Sequence, residues 1–135
     1  MGVGVRIRDR LKEDMVKVAI SSKGKEPGDS VDPRFGRAKW FIIADTEANS
    51  FEAVTNEQNL NAAQGAGIQS AANVARQGVK YVITGHCGPN AFKTLQSQDI
   101  KVIVDAEGTV EEVLEKFKRG ELKSSRGPDV EGHWV

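Results

Sequence analysis

The sequence predicts an α/β protein with a mixed five-stranded sheet, and three observations carry that expectation. Short β-branched or apolar runs recur at residues 16–21, at Trp40–Asp45, and at residues 51–55, 81–84 and 102–104. Beyond Asn56 these runs alternate with segments whose apolar residues repeat at helical spacing. The connection at residues 46–50 is short and suits an antiparallel hairpin, whereas strands joined through helices require right-handed parallel crossovers. The predicted order of elements is βββαβαβα.

Composition is compatible with this class and excludes several others. A chain of 135 residues supports one domain and a core that needs no staples. With 39% hydrophobic and 28% charged residues, the mixture is that of a globular protein and not a disordered one. Nineteen basic residues balance nineteen acidic ones, which argues against a dedicated nucleic-acid binder. The single cysteine, Cys87, excludes an internal disulfide and any metal site built from several thiolates of one chain. The longest apolar run, residues 40–44, is too short to span a bilayer, and the charged N-terminus has no room for a signal-peptide core. The expectation is a soluble cytoplasmic protein with no nucleic-acid or membrane partner.

The elements follow in order. Residues 1–14 are dense in charge without a clear period and read as a flexible extension ahead of a natural start at Met15, a short charged helix or arm being the alternative. Residues 15–121 form the single domain, and residues 122–135 a polar tail. The link from Ser21 to Lys39 carries Gly24, Pro27, Gly28, Pro33 and Gly36, which resist regular structure. Loops of that length in compact domains tend to be functional. In residues 51–55, Phe51 and Ala53 alternate with Glu52 and Val54. Ile68, Ala71, Ala72 and Ala75 mark one face of a helix that stops at Gly78. Pro89 opens a second helix, with Phe92 and Leu95 on its inner face. Thr109 and Glu112 form a capping box for a third, in which Val110, Val113, Leu114 and Phe117 face inward before Gly120.

Three segments could carry chemistry. The first is Thr84-Gly85-His86-Cys87-Gly88-Pro89-Asn90, where a strand hands over to a helix. Ligands of open α/β sheets gather at the carboxyl ends of strands, and a helix N-terminus favours anions and thiolates. His86 and Cys87 could therefore ligate a metal, or Cys87 could equally be a small core residue and His86 a surface group. The second is Asp32-Pro33-Arg34-Phe35-Gly36-Arg37, whose two guanidiniums beside a glycine could clamp an anion. Spacing alone favours a solvated loop anchored by Phe35, with Arg34 paired to Asp32. The third is Gln64-Gly65-Ala66-Gly67, which lacks the third glycine of a dinucleotide fingerprint and the Lys-Ser/Thr of a P-loop, but could form a backbone-amide nest.

These segments, in this order, resemble the dinitrogenase iron–molybdenum cofactor biosynthesis family. The resemblance rests on Asp32-Pro33-Arg34-Phe35-Gly36-Arg37-Ala38, Gly65-Ala66-Gly67, Gly85-x-x-Gly88-Pro89-Asn90-Ala91-Phe92, Gly108-Thr109-Val110-Glu111-Glu112 and the closing Gly132-His133-Trp134. It implies a ribonuclease-H-like three-layer fold and a small non-catalytic protein. Such a protein binds the iron–molybdenum cofactor, its precursor or another metal–sulfur cluster as cargo. Its partners would be nitrogenase or cofactor-assembly proteins, with the chain itself a monomer or homodimer. On this resemblance Arg34, Phe35, Gly36, Arg37, Gly65, Gly67, Gly85, His86, Cys87 and Gly88 line the binding site. Cys87 and His86 are the expected metal ligands, with His133 a third. Where several cluster-carrying relatives have a histidine in the Phe-Gly loop, this chain has Arg34, which cannot ligate a metal.

Two other classes compete. Nucleases of the ribonuclease-H-like fold hold metals on carboxylates, one of them on the first strand, but residues 16–21 contain no Asp or Glu, so an enzyme is not expected. An anion- or nucleotide-binding regulator without metal would use Arg34, Arg37 and the helix N-termini alone.

Overall fold

The computed structural model describes residues 17–48, 50–56 and 66–125. The expected N-terminal extension, Met15, Gly65 and His133 lie outside the described residues. Five strands, β1 (Lys17–Ser22), β2 (Trp40–Asp45), β3 (Ser50–Thr55), β4 (Tyr81–Ile83) and β5 (Lys101–Ile103), form one sheet in the order β3-β2-β1-β4-β5. The hairpin partners β1–β2 and β2–β3 are antiparallel, while β1–β4 and β4–β5 are parallel. Three helices, α1 (Ala66–Ala75), α2 (Pro89–Ser97) and α3 (Val110–Lys118), follow the expected order.

Alternation along each strand divides the core into two layers. Ala19, Phe41, Ile43, Val82 and Val102 face α1 and α2, against Ala71, Val74, Phe92 and Leu95. Val18, Ile20, Ile42, Ala44, Ile83 and Ile103 face α3, against Val110 and Val113. Central β1 is buried on both faces, which is why it reads as a continuous apolar run. The result is two helices, a mixed sheet and one helix, the three-layer arrangement that the family resemblance implies.

Two expectations about faces change. Ile68 is 43% exposed, and α1 instead buries Ser70, Ala71 and Val74. The first turn of the helix lies against α2, where a Cβ on Gly67 would sit 3.1 Å from that of Ala91. Phe51 is 48% exposed although it shares the α3 side of the sheet with Ala53, because β3 is the edge strand and α3 covers that side only in part.

The sheet order reverses at β1. Neighbouring parallel strands β1 and β4 therefore send their chains in opposite directions from adjacent carboxyl ends, which opens a crevice there. The loop from Lys23 to Lys39 leaves one of these ends and residues 84–88 leave the other.

Candidate functional site

The long loop is tied down along its whole length. The Lys23 N–H donates to the Ser30 carbonyl at 3.0 Å, Val31 N–H to Gly108 at 2.9 Å, and Asp32 N–H to Ser21 at 2.9 Å. Val31 packs in the α3 layer, whereas Phe35 and Ala38 pack in the opposite layer. The loop thus crosses the end of the sheet at Asp32. There the Ser21 hydroxyl lies 2.7 Å from both the Asp32 carbonyl and the Thr84 hydroxyl, linking β1, the loop and the end of β4.

The Phe-Gly segment and the His-Cys segment meet as a short parallel bridge. The His86 N–H donates to the Pro33 carbonyl at 2.7 Å, and the Phe35 N–H to the His86 carbonyl at 3.2 Å. Gly85 makes this possible: a Cβ there would come within 2.6 Å of the Pro33 Cα. Arg34 and His86 are consequently neighbours, and both are exposed. Phe35 points the other way, is 1% exposed, and packs tilted on Phe41 with ring centroids 5.2 Å apart. It is an anchor and not a ligand-facing group.

Cys87 and His86 divide in the same manner. Cys87 has no exposed surface and belongs to the core layer under α1 and α2, while His86 faces outward. The two expected ligands thus lie on opposite sides of the segment, as successive residues of extended backbone do. Among the described residues, no three His, Cys, Asp or Glu side chains converge as a metal site.

The structure assembles charge instead. A groove of about 450 Å³ is lined by Lys23, Asp32, Arg34, Arg37 and Lys39. Four cations thus surround one carboxylate at the switch point of the sheet. Lys23 and Lys39 flank the strand ends paired as Ser22↔Trp40, so the antiparallel register brings them together across the loop. Neither was singled out from sequence, although that pairing was the available signal. Nearby, α2 begins at N-cap Gly88 with no side-chain cap and Pro at its first turn. Gly88 has φ −71° and open space around its Cβ position, so the turn does not depend on glycine there.

The rear of the loop rests on Asn56, also missed from sequence. Its N–H donates to the Lys39 carbonyl at 2.8 Å, and its Nδ2 to the Ala38 carbonyl at 2.9 Å and the Ser70 hydroxyl at 3.0 Å. Ser70 Oγ also lies 3.4 Å from the Gly36 carbonyl. Asn56 and Ser70 are both buried, joining the loop to α1. The structure therefore gathers Arg34, Gly36, Arg37, Gly85 and His86 at one end of the sheet, with Phe35 and Cys87 beneath them. Gly67 belongs to the α1–α2 contact, and Gln64 and Gly65, the rest of the expected nest, lie outside the described residues.

A mixed-sheet, three-layer α/β protein with a cationic groove at its switch point is the class these features define. The chain belongs to the dinitrogenase iron–molybdenum cofactor family, whose model matches residues 15–120. It is similar to the apo form of the orange protein of Desulfovibrio gigas, at 36% identity and a TM-score of 0.83, covering 84% of this chain and 96% of that one. A candidate NifB protein of Thermotoga, assigned to the DUF35 family, is 39% identical with a TM-score of 0.72, over 82% of this chain and 93% of that one. An uncharacterized protein of Methanocaldococcus jannaschii is 27% identical over 115 residues, 84% of this chain and 94% of that protein. No helix among the described residues is long and apolar enough to cross a membrane.

Proposed function

We propose that this protein is a non-catalytic, cytoplasmic carrier of an anionic metal–sulfur cluster, the iron–molybdenum cofactor, its precursor or a related cluster, during cofactor assembly. The observation that carries this reading is the groove of Lys23, Arg34, Arg37 and Lys39 at the switch point, beside exposed His86. Family membership supplies the cluster chemistry, and the groove supplies a means of holding a multiply charged anion without a full ligand set. Such holding suits cargo that must be released to nitrogenase or an assembly protein. His86 would serve as the exposed ligand. Cys87 could ligate only if residues 85–88 opened, because its thiol is enclosed by the core.

Anaerobic reconstitution with iron, sulfide and molybdate, followed by metal analysis, tests the reading. Wild type retains metal, Arg34→Ala with Arg37→Ala loses most of it, His86→Ala loses part, and Cys87→Ser retains it. Loss in Cys87→Ser with normal folding would show that the segment opens and that the thiol is the principal ligand. Binding of phosphate-bearing ligands with no metal retention would favour the anion-binding regulator instead.

A further inference from the structure

A carboxylate among four cations is a liability in an anion site, since it repels the ligand that the cations attract. Asp32 is nonetheless built firmly into the groove. Its side chain is only 6% exposed, yet it faces Arg34, whose side chain is 65% exposed. Asp32 Oδ1 accepts the Arg34 backbone N–H at 2.9 Å and lies 3.5 Å from Arg34 Nε. The residue is itself held on both sides: its N–H donates to the Ser21 carbonyl, and its carbonyl accepts from the Ser21 hydroxyl. Arg34 is then the next residue but one, bridged to His86 through its backbone.

We infer that Asp32 is a positioning residue for anion binding: its carboxylate engages Arg34 at Nε and so leaves the two terminal nitrogens of the guanidinium directed toward the groove. The inference deepens the cluster-carrier reading and rests on it. A long exposed side chain loses rotamer freedom when it closes on a ligand, and that loss weakens binding. A carboxylate held by the sheet end and loop removes part of the loss beforehand. Arg suits this division of labour because its planar fork presents one edge to the carboxylate and another to the ligand, which a lysine cannot do.

The two possible effects of Asp32 have opposite signs, so one experiment separates them. Inorganic molybdate, a stable dianion, is titrated by calorimetry into wild type, Asp32→Asn, Asp32→Ala and Arg34→Gln. The Arg34 Nε–Hε resonance is followed in each folded protein without ligand. Positioning weakens molybdate binding about two- to tenfold in Asp32→Asn, and at least as much in Asp32→Ala, despite the gain of one positive charge. It also shifts the Arg34 Nε–Hε signal and raises its mobility. Repulsion alone would tighten binding in both variants and leave that signal ordered. If wild type binds and Arg34→Gln binds less, while the Asp32 variants bind equally or more tightly, the inference is overturned and the cationic groove stands. If wild type shows no saturable binding, the groove reading falls and the inference with it.

Discussion

At the residue scale, the two glycines that frame His86 and Cys87 do different work. Gly85 lies where the backbone of Pro33 crosses the end of β4, and a Cβ at 2.6 Å from Pro33 Cα has no place to go. Gly88 has an ordinary extended backbone and nothing within 4 Å of its Cβ position. Of the two, only Gly85 is required by a close approach of backbone. Gly85→Ala is expected to cost about 2 kcal/mol or more, as overpacking against backbone does, and to separate Arg34 from His86. Gly88→Ala is expected to cost less, about 0.5–1 kcal/mol, because the only penalty is that alanine is the poorer N-cap of the two. Urea denaturation of both variants checks the contrast, and equal losses would contradict it.

At the scale of elements, α3 is the helix whose start is written most clearly in the chain. Thr109 Oγ accepts from the Glu112 N–H at 3.1 Å, and the Thr109 N–H donates to Glu112 Oε1 at 2.8 Å. Both halves of the expected capping box are present. Thr109→Ala should cost about 1 kcal/mol. The Thr109 backbone N–H, and after it the Thr109 hydroxyl, hold the Glu112 carboxyl below its usual value, with a smaller contribution from Lys116. A carboxylate with a depressed folded pKa contributes stability above the ordinary glutamate value of 4.5 and loses it as pH falls through the lower folded value. Glu112→Gln therefore lowers the melting temperature near neutral pH and flattens its decline toward acid. A scan of melting temperature from neutral to acid pH reads the difference. In α1, by contrast, the visible apolar pattern selects Ile68, whereas the buried positions include Ser70. Hydrophobic period reports where apolar residues repeat, and it has no means of registering a hydroxyl whose partner is an asparagine fourteen residues earlier.

Across the whole molecule, the site is held in place from behind. Asn56 joins the end of β3 to α1 and to the last part of the loop that carries Arg34 and Arg37. Its amide is buried, so truncation strands the Ala38 carbonyl in a low-dielectric setting and removes one of the two partners of the Ser70 hydroxyl. Asn56→Ala is expected to destabilise the protein by about 1–3 kcal/mol and to loosen the arginine loop. Hydrogen exchange at the amides of residues 34–38 measures the second effect, and denaturant midpoints the first. Unchanged exchange in a folded variant would place the loop's support elsewhere.

Strand order in the chain, the crossover helices, the capping box and the glycine segments are all properties of neighbouring residues, and the sequence determined them by local pattern. Arg34 and Arg37 were legible for the same reason, since their chemistry is independent of where they sit. Partnership across the fold was decided by tertiary structure. The parallel pairing of β1 with β4 brings the Pro33 and His86 backbones together, the antiparallel register brings Lys23 beside Lys39, and burial takes Cys87 inward while leaving His86 outside. Local spacing cannot choose between the two sides of an extended segment when both flanks hold polar and apolar residues. Packing against Phe35, Phe92 and their layer makes that choice, because only one side chain of the pair fits a dry interior.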